Sequence, residues 1–370
     1  MKTRILYAGI DVDDKAYHVS VFDKGKGTRL EFKCGPNPQL LLRAFKRHGL
    51  DKESLQVCYE ASYVGYSIYR SLTIVGFHCQ IAAPSLIPSQ AGVRQKTDKL
   101  DSRKLAEYYA KGLLTFIYIP NEEDEAVRDM LRSKLFLTEQ QTMIKNHING
   151  LCRRLGLNYK QETAKKSRWT RHHLEWLYSK TNKLKQHSAK FTFQILLKQF
   201  EDVNKNIELF DLEIENQAEA PRFAKKVKVL AAFKGVKSTT ALTLITELGD
   251  IRRFDHPKRV TSYAGFDIVE YSSGGKQRRF SISKLGNSNI RKAAVDAVKF
   301  AIRSPNLGTA VRERRKNIDP TTAKIASKCS SRLYKKGCRM LFNGKPTKKI
   351  QVACAREFLG FVWEALQKAS

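Results

Sequence analysis

The sequence predicts an α/β N-terminal domain (residues 1–120), a long-helix, coiled-coil connector (121–220) and a mainly helical basic C-terminal domain (221–370). Three observations predict this α/β plus α organisation. The first part alternates β-rich runs with helical stretches. The second has few glycines and prolines and carries an apolar 3-4 repeat. The third is punctuated by glycine and holds 33 Lys+Arg against 10 Asp+Glu, so 23 of the chain's 32 surplus positive charges lie in its last 150 residues.

The N-terminal elements follow from alternation and turn chemistry. ILYAGIDV (5–12), AYHVSVFD (16–23) and TRLEFKC (28–34) read as three short strands linked by hairpins, with KGKG as the second turn. A helix over 39–48, a strand LQVCYE (55–60), a helix over 63–74, a strand HCQIAA (78–83) and a helix from Asp98 onward follow. Three hairpin-linked strands succeeded by alternating helices and strands is the element order of an RNase H-like fold.

In the connector, Phe193, Leu196, Phe200, Val203, Ile207, Phe210 and Ile214 recur at heptad spacing. This seam packs either on the helix around Val127–Leu155 of the same chain or against a second chain. The polar, cationic stretch 160–190 reads as an exposed turn region. In the last domain, VLAAFKGVKSTTALTLITELGD (229–250) has a helix–Gly-turn–helix pattern, like a helix-hairpin-helix element whose helix N-terminus faces a phosphate.

Composition narrows the partners. Sixty-eight Lys+Arg against 36 Asp+Glu points to a polyanion, with nucleic acid ahead of an anionic membrane surface because no basic amphipathic helix or lipidation signal stands out. Seven scattered Cys without C-x-x-C, and eight His without H-x-x-x-H, argue against zinc and fit a reducing cytosol. Acidic residues interrupt the N-terminus before a signal-type apolar run forms. No stretch approaches the roughly 20 apolar residues that span a bilayer. A cytoplasmic protein with no membrane partner is expected.

Two constellations carry chemistry. Asp11 follows the apolar run of its strand and Glu60 ends another, while Asp98 and Asp101 share one helix face at i and i+3. Singly they read as a turn residue, a strand-end charge and a helix cap. In an RNase H-like sheet the first and fourth strands are neighbours, so all four meet at one end. Clustered carboxylates repel unless a cation holds them, and hard oxygen donors suit Mg²⁺ or Mn²⁺. Lys96, Lys99, Arg103 and Lys104 would then grip the nucleic-acid backbone. The second constellation is YSSGGKQRRFSISKLGNSNIRK (271–292). Alone, Ser-Ser-Gly-Gly is a flexible turn; beside Lys276, Arg278, Arg279, Lys284 and Arg291, a serine there has the setting to attack a phosphodiester.

GIDV, YEAS, KTDKLDSRKLAE, FKGVKSTTALTLITELGDIRRFD, YAGF, YSSG, SISKLGN and IRKAA, in this order, resemble the DEDD transposase family of bacterial insertion sequences. That family includes the bridge-RNA-guided recombinases and, more distantly, the pilin-gene invertase. The resemblance implies a RuvC-like N-terminal domain, a coiled-coil connector and a C-terminal transposase domain with a nucleophilic serine. It implies Asp11, Glu60, Asp98 and Asp101 as ligands of Mg²⁺ or Mn²⁺. Ser273, or Ser272 given the doubled serine, would form a transient phosphoserine–DNA link. It also implies a noncoding guide (bridge) RNA pairing with donor and target DNA, and a homodimer or homotetramer. Two segments depart from the family pattern: Ile268 stands where relatives often have proline, which alters the loop's shape, and the cationic segment 311–340 interrupts the last helices, which bears on the RNA or end sequence bound. The alternatives are a Holliday-junction nuclease using the carboxylates alone, a protein-only DNA invertase, and a basic packaging protein without catalysis.

Overall fold

The computed structural model describes residues 4–88, 97–163, 165, 167–273 and 276–369, and its contacts divide the chain between Ile119 and Pro120 into two compact units. The first unit is built on a five-stranded sheet. Strands β1 (Leu6–Val12), β2 (Tyr17–Asp23) and β3 (Gly27–Cys34) form an antiparallel meander. Helix α1 (Pro38–Arg47) then leads to β4 (Leu55–Glu60), and α2 (Ser67–Ile74) to β5 (His78–Ala82). β4 and β5 are parallel to β1, giving the order β3-β2-β1-β4-β5.

Strand alternation sorts side chains to two faces. Ala8, Ile10, Val19, Val57 and Tyr59 pack with Leu41, Phe45, Ile68 and Leu72 of α1 and α2. Tyr7 and Cys58, pointing the other way, pack with Leu105, Tyr108 and Tyr109 of α3 (Asp98–Ala110). β3, an edge strand, is the least buried of the meander. The helix expected over 63–74 starts only at Ser67, because Gly65, with φ of 59°, turns the chain just before it.

The second unit begins with α4 (Glu122–Arg154), followed by α5 (Tyr159–Thr163), α6 (Arg171–Asn182) and α7 (His187–Glu219). The heptad seam packs within the chain: Phe193, Phe200 and Val203 of α7 are buried against Ile144, Ile148 and Cys152 of α4. Leu197 is fully buried where the heptad pattern pointed to Leu196, which is only partly covered. The stretch 160–190 is not an exposed turn region. Tyr159, Trp169, His173 and Trp176 interleave with its cations and stack together, so α5 and α6 form an aromatic cap beside Phe200 while the charges stay in water.

The remainder of this unit is one helical core. α8 (Pro221–Ala231), α9 (Ser238–Leu248), α10 (Pro257–Tyr263), a hairpin of β6 (Ile268–Ser273) and β7 (Lys276–Ile282), α11 (Ser288–Ala301), α12 (Thr309–Arg315), α13 (Pro320–Phe342) and α14 (Thr347–Ala369) follow in order. Phe233, Leu242, Val260, Ala294, Leu333 and Phe358 are shared in its interior. The helix–turn–helix over 229–250 is present, and Gly235 in its turn has φ of 88°. A Cβ there would meet the Ala297 carbonyl of α11 at 2.0 Å. Among the described residues no helix is long and apolar enough to cross a membrane.

Candidate active site

The acidic cluster lies in the first unit. The parallel register of β1 and β4 ends at Ile10↔Tyr59, and the next residues are Asp11 and Glu60. Asp98 and Asp101 occupy the first turn of α3. That helix reaches the sheet because position 9 has no side chain. A Cβ on Gly9 would stand 2.4 Å from both the Ser102 carbonyl oxygen and the Ala106 nitrogen. A buried 2.9 Å hydrogen bond between the hydroxyls of Ser20 and Ser102 fixes the same helix to β2. Gly9→Ala is therefore expected to push α3 off the sheet and cost about 1–3 kcal/mol, read as a lower urea midpoint. A parent-like midpoint would show that the close approach is not required.

Thr97, not Asp98, caps α3: its hydroxyl accepts from the Leu100 N–H at 3.3 Å. Both aspartates are therefore free of the capping role, although the helix dipole favours them there.

Burial raises the Asp11 carboxyl to about 6, helped by the fields of Asp98, Asp101 and Glu60, against a lowering field from His18. Asp11 thus senses the other three carboxylates at once. Among the described residues, however, no three carboxylate, imidazole or thiol groups stand close enough to form a closed ligand set. The four share a field rather than a common ligand shell. Their chemistry still fits a divalent cation: all donors are hard carboxylate oxygens, and a cation relieves the repulsion that Asp11 registers.

The raised value has a consequence for stability. The folded state holds the Asp11 proton more tightly than the unfolded chain, so the stabilisation is complete below about pH 4 and lost as pH rises through about 6. Asp11→Asn is expected to melt above the parent by roughly a few degrees at pH 7 in EDTA, converging with it near pH 4. Equal melting temperatures at pH 7 would contradict the raised Asp11 carboxyl that burial and the neighbouring carboxylates produce.

His18 escaped the sequence reading. It faces Asp11 across the β1–β2 ladder, and its Nε2 lies 3.5 Å from an Asp98 carboxylate oxygen. The hairpin register was its only signal. Glu31 was missed too. It takes Lys99 at 3.0 Å and pairs bidentately with Arg103, which first of all holds its carboxyl down to about 2. Two of the cations expected to grip phosphate are thus engaged with Glu31. Lys104 lies over the Tyr108 ring, 5.5 Å from its centroid. Lys96 lies outside the described residues.

The serine segment lies in the second unit, at the tip of the β6–β7 hairpin. Ser272 pairs with Gln277 and Ser273 with Lys276 in the backbone ladder. The side chains of Ser272, Ser273, Lys276 and Arg279 lie outside the described residues. Arg278 pairs through its backbone with Tyr271, whose exposed ring meets Phe280 edge-on.

The hairpin's base is tightly held. Ser283 N–H donates to Asp267 O, Lys284 N–H to Gly265 O and Asn287 N–H to Tyr263 O. Gly286, with φ of 150°, lies so close to the Tyr263–Gly265 turn that a Cβ would meet the Tyr263 oxygen at 2.4 Å. The YAGF and SISKLGN motifs are thus two halves of one brace. Arg291 belongs to it, donating to the carbonyls of Ala264 and Gly286, whereas Lys284 is exposed. Below the brace, buried Glu247 accepts from Asn287, Asn289 and both arms of Arg132. No spacing in the sequence marked Glu247.

Comparison with known proteins matches two stretches of the chain and several relatives. A model of IS110-type DEDD transposases matches residues 8–155, spanning the acidic cluster, and one described as "Transposase IS116/IS110/IS902 family" matches residues 227–311, spanning the serine hairpin. "Putative transposase y4qE" of Sinorhizobium fredii is 29% identical over 99% of this chain and 90% of its own length. The transposase for insertion sequence element IS1533 of Leptospira borgpetersenii is 27% identical over 90% of this chain and 96% of its own. The transposase for IS1328 of Yersinia enterocolitica is 21% identical over 79% and 82%.

Proposed function

The chain belongs to the IS110-type DEDD transposases and is a DNA transposase, and we propose that it is an RNA-guided recombinase that cuts and rejoins DNA through Ser273. The observation that carries the proposal is geometric: the β1–β4 register ends just before Asp11 and Glu60, and Asp98 and Asp101 stand in the first turn of the helix packed on that sheet. The sheet order β3-β2-β1-β4-β5 supports an RNase H-like, RuvC-like reading of the first unit. Asp11, Glu60, Asp98 and Asp101 would hold Mg²⁺ or Mn²⁺, which supplies stabilisation of charge developing on phosphoryl oxygens.

The chain's own residues do the rest. Ser273 ends β6 and directly precedes Gly274 and Gly275 in the sequence. Its Oγ attacks a DNA phosphorus, a new P–O bond forms to serine, the strand's P–O bond breaks, and the serine proton is released as the departing strand oxygen gains one. Reversal by a different strand end rejoins DNA and frees the serine. Exposed cations of residues 221–370 draw in DNA and a noncoding RNA that pairs with donor and target. The enzyme works in the bacterial cytoplasm as a homodimer or homotetramer.

The test is purification with bound nucleic acid, sequencing of the RNA, and reconstitution of strand transfer from that RNA and DNA. One specific RNA that reprogrammes the DNA site is expected. Recombination without any RNA would replace guidance with protein-only recognition.

A further inference from the structure

The cationic segment 311–340, which departs from the family pattern, folds into α12 and α13, and α13 is sharply two-faced. Ile325, Cys329, Leu333 and Gly337 line its buried side. Lys328, Arg332, Lys335 and Arg339 lie on the outer side, one helical turn apart, spanning about 16 Å. Two adjoining depressions run along this face, between α13, α14 and the start of α10, and share Arg332, Lys336 and Glu357. Arg356 and Lys258 supply cations from the opposite side.

Only one acid enters the groove among the described residues. Glu357 lies on the floor, pairing with Arg332 and, at 2.9 Å, with Lys336, whose ammonium also donates to the Ala353 carbonyl at 3.0 Å. These bonds tie α13 to α14 and fix the groove's width. Burial lowers the Lys336 ammonium, and the fields of Arg332, Arg356 and Arg339 add to that lowering. No acidic side chain of the described residues pairs with Lys328, Lys335, Arg339 or Arg356.

We propose that the α13–α14 groove is a docking surface for the phosphate backbone of a DNA duplex. Exposed cations at successive turns of one helix face match a regular polyanion. The lining residues include no Phe, Tyr or Trp, so apart from His256 at one end the groove offers no aromatic platform for single-stranded bases. The surface serves the DNA-handling activity of the family and is independent of the serine and metal assignments.

The test uses the full-length protein, stripped of copurified nucleic acid and held in EDTA so that catalysis does not enter. Lys328→Gln, Lys335→Gln and Arg339→Gln are combined, and binding to a roughly 30-bp random-sequence DNA duplex is measured against salt. Affinity is expected to fall about tenfold or more near 0.1 M salt, and the slope of log K against log salt to flatten by about 3. An equal charge loss at Lys185, Lys198 and Lys205, outside the groove, is expected to change both far less. The charge-retaining set Lys328→Arg, Lys335→Arg and Arg339→Lys is expected to keep parental binding, which separates charge from folding. Parental affinity in the glutamine variant, an equal loss in the control, or a loss confined to an RNA duplex of the same sequence would each overturn the proposal.

Discussion

Ser273→Ala is expected to abolish recombination and the DNA-linked form of the protein, while DNA and RNA binding survive. Loss of an attacking nucleophile leaves only positioning, so a drop of about 10⁴-fold or more in strand transfer is the expected scale. The backbone brace of the hairpin runs through Tyr263–Asp267 and Ser283–Asn287 and does not involve the serine hydroxyl. The alanine variant should therefore fold normally. Ser272→Ala, its neighbour in the same strand, should retain activity within about tenfold. Strand transfer by a time course on a denaturing gel checks both. Normal recombination by Ser273→Ala together with loss in Ser272→Ala would move the nucleophile by one residue.

Asp98→Ala is the second large effect. As a helix-terminal charge, Asp98 is worth only about 0.3–1 kcal/mol to α3, because Thr97 already supplies the cap. Its side chain is 61% exposed, so truncation leaves no cavity. Strand transfer, by contrast, should fall about a thousandfold, the equivalent of about 4 kcal/mol of lost transition-state stabilisation. Added Mg²⁺ should raise the parent's melting temperature and leave that of Asp98→Ala much less changed. A variant with altered melting and near-parental activity would return the residue to a structural role.

The first unit was legible because each of its strands is a short apolar alternation ended by a turn residue or a charge. Asp11, Glu60, Asp98 and Asp101 could be named because they sit where those patterns stop. What the sequence concealed were contacts between elements. The glycine that admits α3 onto the sheet, Gly9, looks like any strand residue until Ser102 and Ala106 are seen above it. His18 and Glu31 belong to the same neighbourhood only through strand pairing and through α3. In the second unit, the aromatic cap over 159–176 was masked by its lysines and arginines, whose charges dominate composition while the rings decide packing. The β6–β7 hairpin was read as a loop because its strands are short and meet across Gly-Gly. Arg291 was read as a phosphate contact, yet its guanidinium spans the turn that holds that hairpin.

The central claim is that Ser273 becomes covalently joined to DNA with the help of the carboxylates of the first unit. The direct measurement is mass spectrometry of protease digests after reaction with RNA, donor DNA and Mg²⁺. A nucleotide-bearing peptide is predicted, with the modification on Ser273, absent in EDTA and strongly reduced in Asp98→Ala. Cleaved and exchanged DNA without any such peptide, or with the nucleotide on another residue, would contradict the account.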